Sequence, residues 1–135
     1  MKTDKKAPFL KRVLIVDDDP FFSAYLKSLL ELELEISINL AGSGKEALEY
    51  LAAVSVAAVV SDMGMPGMNG AELLRHIREK FPSLPVIMLS GNFDATGVRP
   101  GELLALGATG VLAKDETSKK LVPMVAHLLS VPVRG

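Results

Sequence analysis

Val59-Val60-Ser61-Asp62-Met63-Gly64-Met65-Pro66-Gly67-Met68-Asn69-Gly70 decides how this chain is read. It opens as the end of an apolar run from Ala57 and stops at a carboxylate. A loop rich in Gly and Pro then leads into a helical pattern from Gly70 onward. A short apolar run bounded by turn residues suits a strand buried on both faces. Such a strand, ending in Asp, sets the carboxylate at the edge of a sheet. Ligand sites of open α/β sheets lie outside the carboxyl ends of the strands. The rest of the chain is therefore read by asking what surrounds Asp62.

Three further apolar runs break off in the same way. Val13-Leu14-Ile15-Val16 ends at Asp17-Asp18-Asp19-Pro20, Val86-Ile87-Met88-Leu89 at Ser90-Gly91, and Gly110-Val111-Leu112-Ala113 at Lys114. Ile36, Ile38 and Leu40 alternate with polar residues, as an edge strand does. Helical spacing fills the gaps. Asp19 serves as N-cap and Pro20 as first helical residue of a helix to about Glu33. Ser43-Gly44-Lys45-Glu46 fits a capping box before the stripe Ala47, Leu48, Leu51, Ala52. Ala71 to Lys80 carries Leu73, Leu74 and Ile77 inward. Gly97, Pro100 and Gly101 shorten a fourth helix to Pro100–Leu106. Thr117 or Ser118 caps a last helix, which Pro123 should kink or delay. Strands alternating with helices imply a parallel sheet covered on both faces, with every strand C-terminus at one edge.

Composition narrows the class. With 135 residues, 49% hydrophobic and 23% charged, the chain has the length and balance of one globular domain. A net charge of −1 gives no electrostatic case for nucleic-acid or membrane-surface binding. The basic N-terminus, Met1 to Arg12, is followed by an apolar run too short for a signal peptide or membrane span. The absence of Cys excludes disulfides and thiolate chemistry and fits a reducing compartment. The chain is read as cytoplasmic.

Asp17, Asp18 and Asp62 would bring three carboxylates together, unfavourable unless a cation offsets them. Hard oxygen ligands at a hydrated edge suit Mg²⁺, which keeps several waters and accepts phosphate oxygens. Lys114 adds a point charge and Ser90 a hydroxyl. Together they make a site for a tetrahedral oxyanion, beside which Asp62 can act as nucleophile and become an aspartyl-phosphate.

Val-Leu-Ile-Val-Asp17-Asp18-Asp19, Asp62-Met-Gly-Met-Pro66-Gly-Met68-Asn-Gly70, Met88-Leu-Ser90-Gly91 and Leu106-Gly107-Ala108…Lys114 resemble the receiver domains of two-component response regulators. The resemblance divides the chain into a basic extension (1–10), a receiver (11–130) and a tail (131–135). It implies a flavodoxin-like, doubly wound five-stranded parallel sheet of order 2-1-3-4-5 with about five helices. It also implies that Asp62 is the phosphoacceptor and that Asp17, Asp18, Asp62 and the Gly64 carbonyl hold Mg²⁺. Ser90 becomes the switch hydroxyl and Lys114 the lysine on the phosphoryl group, with no other cofactor. The donor would be a sensor histidine kinase or histidine phosphotransfer protein, and the signal would pass to a partner protein. Such a chain is a phosphoacceptor with slow hydrolysis, not a turnover enzyme. Small Gly64 and Asn92 flank the site and bear on water access.

The pattern departs from the family in three places. The aromatic switch position, three before the lysine, holds Val111. Asp115 stands where many receivers carry a cis-proline, and the fourth helix is broken by Gly and Pro. These departures motivate an alternative, a phosphorylation-independent receiver-like interaction module. A haloacid-dehalogenase-type phosphatase built on Asp17-x-Asp19 fits poorly, because Phe21 stands where that family has Thr or Val. His76 and His127 lack metal-ligand spacing; His76 is read as part of a solvated face and His127 as structural. Gly42-Ser43-Gly44-Lys45 lacks the first Gly of a phosphate loop, Asn39 standing there.

Overall fold

The computed structural model describes residues 10–91 and 97–134. The first nine residues of the basic extension, Asn92 and Gly135 lie outside the described residues. Five strands form one parallel sheet: β1 (Lys11–Val16), β2 (Ile36–Ala41), β3 (Ala58–Asp62), β4 (Val86–Ser90) and β5 (Gly110–Ala113), in the order β2-β1-β3-β4-β5. Among the described residues five α-helices connect or follow them: α1 (Pro20–Glu33), α2 (Gly44–Ala53), α3 (Gly70–Lys80), α4 (Pro100–Ala105) and α5 (Thr117–Leu129).

Side chains alternate across each strand, so each wholly apolar run supplies two cores. Val13, Ile15, Val60, Ile87, Leu89 and Leu112 pack against α1 and α5, where Leu26, Leu30, Leu121 and Val125 are buried. Leu14, Val16, Val59, Val86 and Met88 face the opposite layer of α2, α3 and α4, meeting Leu51, Leu73, Leu74, Ile77 and Leu103. The edge position read for β2 holds. There Glu31 accepts from the Ile38 amide at 3.0 Å and pairs with Lys27 at 3.0 Å. That covers an edge donor which would otherwise invite strand pairing.

Local chemistry sets the helix starts. Asp19 accepts from the Phe21 amide at 3.0 Å ahead of Pro20. Asn69 and Glu72 form a full capping box on α3, which the sequence reading passed over. The box at Ser43 is only half made. Ser43 accepts from the Glu46 amide, but the Glu46 carboxylate turns to the Gly42 amide instead. Ala52 is exposed rather than part of the α2 stripe. No side chain caps α5: Thr117 is its first residue, and a single 3-10 turn over Lys114–Glu116 feeds directly into it. Pro123 lies within α5 on its exposed side and does not delay its start. The tail folds back on α1, with the Arg134 amide donating to the Glu33 carbonyl at 2.8 Å and Val133 bridging Leu34. His76 is exposed, as expected, and His127 is exposed too.

Candidate functional site

Strand register brings the site together. Val16 lies opposite Ser61, Asp62 opposite Leu89, and Ser90 opposite Ala113. One step past β1, Asp17 reaches the level of Asp62. Lys114 stands two residues beyond that level, Asp62 pairing with Leu89 and Leu89 with Leu112, and its long side chain reaches back. Asp17, Asp62 and Lys114 also share the strand parity of Val13, Ile15, Val60 and Leu112, the α1/α5 face. Ser90 has the parity of Val86 and Met88 and the opposite face. It is buried at the end of β4.

One ligand oxygen from each of Asp17, Asp18 and Asp62 lies within 4.8 Å of the others. Asp17 and Asp62 are buried and Asp18 exposed, so the cluster opens to solvent on one side. The Lys114 ammonium lies 3.2 Å from Asp62 Oδ1 and 3.5 Å from Asp17 Oδ2. Burial alone would lower the Lys114 pKa, but the Asp62 and then the Asp17 carboxylates outweigh it and raise it. Backbone chemistry holds each group. The Asp19 amide donates to Asp17 Oδ1 at 2.9 Å. The Thr117 hydroxyl donates to the Lys114 carbonyl at 2.8 Å. Around Asp62, the Met63 amide donates to Leu89 and the Gly70 amide to Met63, both at 2.9 Å.

The charges do not balance. Three carboxylates less one ammonium leave two negative charges in a half-enclosed site. Burial, with the neighbouring Asp62 charge adding to it, pushes the Asp17 pKa above its ordinary value, against the Asp19 amide and Lys114. Asp17 Oδ2 is buried with no hydrogen-bond partner, although the ammonium is 3.5 Å away. An orphaned carboxylate oxygen among hard oxygen donors fits a divalent ion such as Mg²⁺. Gly64, in the loop after β3, is exposed, and its side is open, with nothing within 4 Å of where a Cβ would stand.

The raised Asp17 pKa has a consequence for stability. A carboxyl group with a higher pKa folded than unfolded costs the fold nothing well below its ordinary value of 3.8 and increasingly weakens it as pH rises above that value. Asp17→Asn keeps an acceptor for the Asp19 amide while removing the charge. It should raise the metal-free thermal midpoint at pH 7 by about 3 °C. Thermal melts across pH should show the advantage vanish near pH 4.

The sequence reading missed two residues. Phe22 places its ring 4.7 Å from the Lys114 ammonium. Gly70 sits so close to the strand end that a Cβ would fall 2.5 Å from the Asp62 carbonyl oxygen. No signal in the sequence marks the second beyond the glycine itself.

Among the described residues no helix is long and apolar enough to cross a membrane. Residues 13–126 match the response regulator receiver domain family. The chain is 34% identical over 111 residues to a protein-glutamate methylesterase/protein-glutamine glutaminase of Carboxydothermus hydrogenoformans, covering 82% of this chain and 31% of that protein. It is 35% identical over 104 residues to the Regulator of RpoS of Escherichia coli, covering 77% of this chain and 30% of that protein. It thus spans under a third of the length of these two relatives. Its fold superposes on the receiver domain of a Francisella response regulator with a TM-score of 0.79 at 29% identity, covering 89% of this chain and 97% of the other.

Proposed function

This chain belongs to the response regulator receiver domain family of two-component signalling, and on that premise we propose that Asp62 is its phosphoacceptor. The observation that carries the reading is the Lys114 ammonium 3.2 Å from Asp62 Oδ1, beside the orphaned oxygen of Asp17. Receiver domains take phosphoryl groups from histidine kinases or phosphotransfer proteins. In this reading Asp62 attacks the phosphorus of a phosphohistidine in line, forming a P–O bond as the P–N bond breaks. The electron pair leaves with the imidazole. Lys114 meets the charge on the incoming oxygens, Ser90 donates its hydroxyl to one of them, and Asp17 and Asp18 stand beside Asp62.

Asp17, Asp18, Asp62 and the Gly64 carbonyl would hold Mg²⁺, which when bound neutralises the phosphoryl oxygens. Little more is asked of the protein than positioning and charge neutralisation. The product adds roughly 1.5–2 negative charges beside Lys114, enough to bias a two-state surface read by a partner protein.

Incubation with acetyl phosphate and Mg²⁺, followed by intact-mass measurement, tests the reading. One phosphoryl group should be gained, and none when EDTA removes the metal. An unmodified protein at saturating donor and Mg²⁺ overturns it and leaves the phosphorylation-independent module. Val111, packed as an aliphatic against the α2/α3/α4 core, favours that alternative.

A further inference from the structure

The amine beside Asp62 has an aromatic neighbour that the receiver reading does not use. Phe22 lies in the first turn of α1, set there by the Asp19 cap, whose carboxylate accepts from the Phe22 amide at 3.4 Å. Its ring stands 4.7 Å from Lys114 Nζ, while Asp62 and Asp17 lie 3.2 Å and 3.5 Å from the same atom. The Lys114 side chain is 27% exposed. A lysine has a long flexible stem and a strongly hydrated head, so an ammonium this exposed has solvent-facing rotamers to choose from. The negative face of an aromatic ring attracts a cation without competing for its proton donors. Two carboxylates and one ring together leave the ammonium a single favoured place. Val111, on the opposite parity of β5, packs against the other core and brings no ring to the site.

We propose that Phe22 is a positioning residue for phosphoryl uptake: its ring holds the Lys114 ammonium at Asp62 before the donor arrives. This rests on the acceptor reading above. Phe22 also packs against the α1/α5 core and stacks at a tilt on Tyr25, centroids 5.7 Å apart. A purely structural role therefore has to be separated from a positioning one.

Phe22→Leu and Phe22→Met keep apolar volume without a ring, and Phe22→Tyr and Phe22→Trp keep a ring. Each is measured for the rate of uptake from acetyl phosphate, the Mg²⁺ concentration giving half the maximal rate, and the ¹H shift of the Lys114 Cε methylene. Loss of the ring should slow uptake roughly fivefold. The half-maximal Mg²⁺ concentration, which depends on the acidic residues, should stay within about twofold. The upfield ring-current shift of the methylene should vanish in Leu and Met, and both rate and shift should return with Tyr or Trp.

Wild-type uptake with an unchanged rate in both ringless variants overturns the role of Phe22 alone. So does a loss that no aromatic restores, or a wild-type methylene without the upfield shift. A wild-type protein that takes up nothing overturns the acceptor reading itself, and the role of Phe22 with it.

Discussion

Asp62→Asn should reduce phosphoryl uptake from acetyl phosphate and Mg²⁺ to background, a loss on the order of 10³-fold or more. The amide is nearly isosteric with the carboxylate, so the strand end and its bonds to β4 and α3 should persist. What disappears is the charged oxygen that attacks phosphorus; a neutral amide oxygen is a poor nucleophile. Asp17 and Asp18 remain within reach of a metal, so the loss cannot be assigned to a collapsed site. Removing one of three crowded carboxylates should leave the thermal midpoint unchanged or higher, because Asp62 raises the energy of an ionised Asp17. Intact mass measured beside a melting curve checks both halves. Uptake that survives in this variant would move the acceptor to another residue.

Among the described glycines Gly70 leaves the least room for a methyl, and Gly70→Ala should destabilise the protein by about 3 kcal/mol. The added carbon would stand 2.5 Å from the Asp62 carbonyl oxygen, 2.8 Å from Met63 Cα and 2.7 Å from the Met88 methyl. Met88 can turn its methyl aside; the two backbone atoms cannot yield without shifting the end of β3. The Gly70 amide also donates to Met63 at 2.9 Å, so moving α3 outward loosens the loop that follows Asp62. Urea denaturation should show the loss, and uptake should fall with it. Gly101→Ala is the control: nothing lies within 4 Å of its added carbon, and in the exposed first turn of α4 alanine should be neutral or slightly stabilising. Equal effects of the two substitutions would show that α3 does not press on the strand end.

What could be read from the chain follows from which forces are local. Val13-Leu14-Ile15-Val16 and Val86-Ile87-Met88-Leu89 announce buried strands because a strand covered on both faces needs apolar side chains on both parities. Their terminal Asp17, Ser90 and Lys114 could be grouped for the same reason, since parallel strands end together. The order in which the strands lie side by side was not in those patterns and came from family resemblance. The contact of Phe22 with Lys114 is not legible in the chain, because it joins elements some ninety residues apart and depends on which layer covers which face. Gly70 was read as a helix start, because steric exclusion by the Asp62 carbonyl exists only once α3 is packed. The start of α5 was misjudged for a related reason. Thr117 offered a cap, but its hydroxyl is engaged by the Lys114 carbonyl one turn back, fixing the lysine instead.

The most direct test locates the acyl phosphate itself. The protein is treated with acetyl phosphate and Mg²⁺, reduced with borohydride, which converts a phosphorylated aspartate to homoserine, and digested for peptide mass mapping. The account predicts homoserine at position 62 and unmodified aspartate at positions 17 and 18. Homoserine at 17 or 18, or none at any of the three, would contradict it.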